Sequence, residues 1–245
     1  MGAAIPLREI ATPSTPEGRR AVIIANAQSM LYLSAWPGDP AARAEFEDIL
    51  GPVGPGQYWD LDRPFHVNAD GPTYGVSTCG LVVRGNMRRS GVDDPTLYEP
   101  YEPGSAFSSA SGRGFIDFAR RYGAWKVDGN YSPGCYIVIG SGLMTHTFTC
   151  IELTDTQIIG ADGGSIDKDH GSLQYINRSV RDISSLQYVG HVDPDTLPFR
   201  PTCLVPPQYG GVGLSTGNVV TALVFAGLGY MLGRKYGSAA LERIR

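Results

Sequence analysis

The sequence predicts an α+β fold: helices first, antiparallel strands after them, and a hydrophobic helix near the C-terminus. Three observations carry this. Apolar residues recur at three- and four-residue spacing up to about residue 122, while short segments rich in β-branched and aromatic residues take over beyond Gly123. With 32 glycines and 18 prolines among 245 residues, the chain turns too often for a pure helical bundle.

In chain order, residues 1–18 carry Pro6, Pro13 and Pro16 with no apolar run of signal-peptide length, and read as a flexible N-terminal segment without an N-terminal secretion signal. Residues 19–33 place Val22, Ile23, Ala27, Met30 and Leu31 on a helical face. A loop-rich stretch follows, interrupted by a short helix over 41–50 and closed by Gly71-Pro72. The next helix starts at Cys79, with Ser77 and Thr78 in front as candidate N-caps. Phe115, Phe118 and Ala119 mark another over 114–122. Residues 136–139, 147–153 and 156–161 read as consecutive antiparallel strands, with turns at Pro133-Gly134, 140–142 and Thr154-Asp155. A last strand over 186–191 ends a globular domain of 19–193, and the Pro- and Gly-rich stretch 194–216 reads as a linker.

Residues 204–233 hold no charge, and 217–235 form either a transmembrane or an oligomer-packing helix, followed by a polar tail over 236–245. Seventeen residues cover roughly 26 Å as a helix, slightly less than a hydrocarbon core. Arg234 and Lys235 would favour a cytoplasmic C-terminus, and Gly229 and Gly233 would let two such helices approach, giving a homo-oligomer.

Composition narrows the function classes. Hydrophobic residues make up 42%, enough for a core, and 20 basic residues against 24 acidic ones supply no field for gripping a phosphate backbone, so nucleic acid is not an expected partner. Cys79, Cys135, Cys150 and Cys203 form no C-x-x-C pair and no zinc-finger spacing with histidine; neither a metal nor another cofactor is expected, and the thiols are expected reduced.

A thiol attacks only as thiolate, which the first turn of a helix favours, and it needs an imidazole held by a third polar group. Cys79 has the helix-start placement. His146 opens a strand that turns at Thr154-Asp155 into another ending at Asp162, and such a hairpin brings residues 146 and 162 to the same end. His146 is therefore the candidate base and Asp162 the candidate orienting carboxylate. His66, His170 and His191 read as loop or strand-end residues.

The segment Thr78-Cys79-Gly80-Leu81-Val82 resembles the Asp-Cys-Ser-Gly-Leu-Val segment of NlpC-type cell-wall peptidases. Residues 131–139 resemble the Pro-Gly-Asp start of their first strand, and Thr145-His146-Thr147-Phe148 resembles their His-Val-Gly strand. Residues 158–164 are similar to the Ile-Glu-Gly-Asn segment of CHAP amidases, and 188–192 to their closing Gly-Phe-Val strand. Thr78 stands where that group has Asp, Cys135 where it has Asp, and Gly160 where CHAP amidases have Glu.

The resemblance, over about residues 19–192, implies a papain-like fold, with the Cys79 helix packed on the sheet bearing His146 and Asp162. It also implies hydrolysis of peptidoglycan amide bonds, with the wall peptide as substrate and Tyr74 as a substrate-binding hydroxyl. If 217–235 inserts, the enzyme is membrane-tethered, in a membrane- or virion-associated setting such as phage lysis. The alternative is a structural or membrane-anchored assembly protein with an inactive domain of this fold. Acyl transfer to or from lipid ranks lower, because the related lipid acyltransferases place histidine before cysteine.

Overall fold

Thr15, Pro16 and Glu17 open the first helix, α1 (Pro16–Ser29). The Thr15 hydroxyl accepts from the Gly18 N–H at 3.1 Å, proline's fixed φ suits the first turn, and Glu17 meets the positive end of the helix dipole. Burial runs unbroken from Ala21 to Ala27, so α1 is a central pillar rather than a surface helix.

The computed structural model describes residues 6–56, 58–61, 66–68, 74–75, 78–101, 113–141, 144–169 and 172–209. Within them the fold is α+β, with four α-helices and antiparallel sheets. Helix α2 (Pro40–Leu50) is capped by Asp39, which accepts from the Ala42 N–H at 3.1 Å. Its Phe46, Ile49 and Leu50 pack on Leu81 and Val82 of α3 (Thr78–Arg89). Helices α3 and α4 (Arg113–Arg121) stop by the same device. Gly91 and Gly123 take positive φ, and the next N–H groups, of Val92 and Ala124, bond back to Met87 and Ala119 at 3.0 and 2.9 Å. Val92 and Ala124 then enter the core that holds Met87, Phe115, Phe118 and Ala119.

The main sheet has six strands: β5 (Trp125–Lys126), β6 (Tyr136–Ser141), β7 (Met144–Leu153), β8 (Gln157–Asp167), β9 (Ser172–Asp182) and β10 (Tyr188–Val192). They lie in the order β5-β10-β6-β7-β8-β9, every neighbour antiparallel. On one face Tyr136 and Val138 meet Ile23 of α1 and Val83 of α3, and Ile151, Ile159 and Ala161 meet Ile24 and Ala27 of α1. The other face carries Cys135, Ile137, Phe148, Cys150 and Ile158, covered by Tyr131, Leu186 and Tyr188. Two smaller sheets complete the description: β2 (Tyr58–Asp60), β3 (His66–Asn68) and β4 (Tyr74–Gly75) form one, and β1 (Arg8–Ala11) pairs with β11 (Thr202–Val205) in the other.

Three sequence expectations differ from this fold. The flexible segment 1–18 contains β1 and the start of α1, and the linker 194–216 contains β11, whose Cys203 and Val205 bury against Val22. The described parts of both stretches, 6–18 and 194–209, pack with the domain. The Pro-rich chain is held by backbone bonds from the Asp93 N–H to Pro198 and from the Arg200 N–H to Gly91, at 2.9 and 2.7 Å. Finally, β9 lies where the sequence shows a polar stretch. The helix expected over 217–235 and the tail over 236–245 lie outside the described residues; among those described, no helix is long and apolar enough to cross a membrane.

Candidate active site

Two glycines decide where Cys79 sits. Strand β8 changes register on β9 between Asp162 and Ser165, so Gly163 and Gly164 form an irregularity within the strand rather than a turn after it. A Cβ on Gly163 would lie 2.5 Å from Val82 Cγ2 and 2.8 Å from the Thr78 carbonyl oxygen; one on Gly164 would lie 3.9 Å from the Cys79 nitrogen. The first turn of α3 therefore rests directly on the strand, an approach any side chain at 163 would block. Cys79 occupies that first turn, 5% exposed.

His146 and Asp162 reach the same place through the β7–β8 hairpin. The Thr154 N–H donates to the Gln157 carbonyl at 2.9 Å in the turn, and Thr149 stands opposite Ala161. Residues 146 and 162 are thus near neighbours at the end away from the turn. The His146 Nε2–H donates to Asp162 Oδ1 at 2.8 Å, and the Cys79 thiol is the ring's other side-chain hydrogen-bond partner. Burial disfavours a charged ring. The bonds to Asp162 and Cys79 and the charges of both outweigh it and lift the His146 imidazole to about 9. Burial likewise opposes ionisation of Asp162, but His146 and Arg181 hold its carboxyl below the usual range. Thiol, imidazole and carboxylate form one chain of hydrogen bonds, able to move a proton off sulfur and deliver it to a leaving group.

The second carboxylate oxygen belongs to a residue that the sequence reading did not single out. Arg181 of β9 donates from Nη1 to Asp162 Oδ2 at 2.7 Å, and its guanidinium lies 4.4 Å from the centre of the Phe148 ring. Phe148 in turn stacks on His146, with ring centres 6.2 Å apart. Gly160 makes room for this stack: a Cβ there would fall 2.3 Å from Phe148 Cδ2. The space that a side chain at 160 would take is thus filled by an aromatic ring. The β-branched and aromatic residues Tyr175, Ile176 and Val180 are the signal that could have revealed β9; the polar residues between and around them hid it.

Other candidates fall elsewhere. Tyr74 begins β4, opposite Val67, and its side chain lies outside the described residues. His66 belongs to β3, and His170 also lies outside. His191, read as a strand-end residue, is buried in β10, where its Nδ1 shares a 2.7 Å hydrogen bond with the Tyr188 hydroxyl and burial pushes its pKa down. Among the described residues no three His, Cys, Asp or Glu side chains are grouped to hold a metal. Comparisons with protein-family models, with curated proteins and with solved structures find no match for this chain.

Proposed function

We propose that this protein is a cysteine hydrolase of papain-like architecture that cleaves amide bonds, with the peptide part of peptidoglycan as its substrate. The observation that carries the reading is the continuous hydrogen-bond chain Cys79–His146–Asp162, anchored at a helix start. Cys79 attacks the carbonyl carbon as thiolate while His146 holds the proton. The carbonyl oxygen takes up the electron pair, and the Cys79 backbone N–H at the helix start is positioned to donate to it. His146 gives its proton to the departing amine, leaving an acyl-thioester that water, deprotonated by the same ring, hydrolyses. Asp162 keeps Nε2 protonated throughout, so that Nδ1 is the nitrogen that works.

The wall substrate rests on the motif resemblance around Cys79, residues 131–139 and His146. The test is digestion of purified peptidoglycan by the protein and by Cys79→Ala, with mass analysis of released fragments. New amine and carboxyl ends are expected from the first and none from the second; equal release by both removes Cys79 as the nucleophile.

A further inference from the structure

We propose that Arg181 is a positioning residue of this site: it grips the outer oxygen of Asp162, rests on Phe148, and so turns the inner oxygen onto His146 Nε2. The inference rests on the hydrolase reading for its kinetic consequence. Its geometric content stands independently.

Backbone pairing sets Arg181 opposite Ile158, not opposite Asp162, whose partner across the strands is Asn177. The arginine side chain therefore runs along the sheet to reach the carboxylate. What it crosses is a built path. Gly160 leaves space, the Phe148 ring fills it, and the guanidinium lies on that ring. Ser179, opposite Gly160, accepts from the same guanidinium nitrogen that holds Asp162, and its hydroxyl donates to the Gly160 carbonyl at 3.5 Å. An arginine needed only for surface solubility requires none of this.

The arrangement answers a physical problem. Asp162 is 3% exposed, and a buried carboxylate with one oxygen unpaired is costly and free to rotate. Arg181 satisfies that oxygen at 2.7 Å and leaves the other to His146. It also divides the negative charge. A carboxylate devoted wholly to His146 would bind the imidazolium too tightly for it to surrender a proton to the leaving amine. Among the described residues, the charged or titratable groups around the ring and its carboxylate are Cys79 from α3, Asp162 from β8 and Arg181 from β9; β6 presents Ile139 opposite His146.

The experiment follows the His146 ring resonance by NMR across pH in the full-length protein, in Arg181→Met and in Arg181→Lys, with kcat and KM measured on each. In Arg181→Met the ring midpoint is expected to rise by about half a unit to one unit, since a cation bound to its carboxylate is gone. The same variant should lose about 10- to 100-fold in kcat with KM nearly unchanged. Arg181→Lys, which keeps the charge but not the flat contact with Phe148, should restore most of the midpoint and part of kcat, and it carries the test should the methionine variant not fold. A wild-type midpoint and wild-type kcat in the variants overturn the proposal. If the intact protein cleaves no amide yet the midpoint moves, the hydrolase reading fails and the positioning role stands; cleavage with an unmoved midpoint has the opposite meaning.

Discussion

Strand β7 carries two thiol environments a few residues apart, and they make opposite use of the same element. At its first end His146 faces Cys79 and Asp162; further along, Cys150 lies beside Cys135 in an apolar cluster with Ile137, Phe148 and Ile158. Burial pushes the Cys150 thiol up to about 12, with Cys135 adding to the effect, and burial also raises Cys135 although Ser132 and Arg20 oppose it. All four cysteines are buried and none is in a disulfide. Burial alone thus does not separate a reactive thiol from an inert one. What sets Cys79 apart is an imidazole together with a helix start: Cys135 has the Arg20 guanidinium 3.3 Å away, but the bond to His146 belongs to Cys79.

The sharpest way to break this comparison is to exchange the two thiols for alanine. Cys79→Ala should lower amide hydrolysis by about 10^4-fold or more with little loss of stability. Cys150→Ala should keep turnover and lower only the unfolding free energy, by about 1 kcal/mol in urea titration. Similar kinetic losses in both would erase the distinction. Next in size is the relay: Asp162→Asn keeps the shape but removes the charge that holds His146 protonated, and should cost about 10^2- to 10^4-fold in kcat/KM.

The pH dependence sharpens the contrast further. His146 sits at about 9, above its ordinary 6.5, so activity that requires the imidazolium should fall on the alkaline side with a midpoint near 9. The same shift has a stability consequence. The charged ring stabilises the fold fully below about pH 6.5, and that contribution is lost as pH rises through about 9. Urea unfolding at pH 6 and pH 10 should show the loss, and His146→Gln should shrink it; an unchanged difference would dissociate the ring from the alkaline instability. Smaller than the losses at Cys79 and Asp162 is the effect of Gly163→Ala, which pushes α3 off β8 against Val82 and Thr78 and should cost about 1–3 kcal/mol in the same titration. Its turnover should fall along with stability, whereas alanine at exposed Gly129, strained by a φ of 75° although no atom crowds the added carbon, should cost stability and leave turnover unaltered.

The candidate triad was legible in the sequence because each member announces itself locally. A cysteine follows cap-type residues and precedes an apolar helical run, and one tight turn at Thr154 to Gln157 fixes which strand ends meet. Arg181 was not legible, since its role depends on register across β8 and β9 and on a guanidinium reaching past Gly160. Nor was the pairing of β1 with β11, four residues each, joined from opposite ends of the domain and flanked by prolines. Such short strands have no periodicity of their own to read.

By itself, then, the sequence determined the four helices and strands β6, β7, β8 and β10, the chain order of Cys79, His146 and Asp162, and the hairpin that brings the last two together, because capping, turn chemistry and apolar period act over a few residues. Only the tertiary structure decided that Gly163 is a contact and not a turn, that Gly160 makes room for Phe148, and that a strand with a polar sequence supplies the second partner of Asp162. Those outcomes depend on which surfaces meet in three dimensions. Close packing of helix on strand and the pairing of a buried charge are properties of the assembled fold, set by residues far apart along the chain.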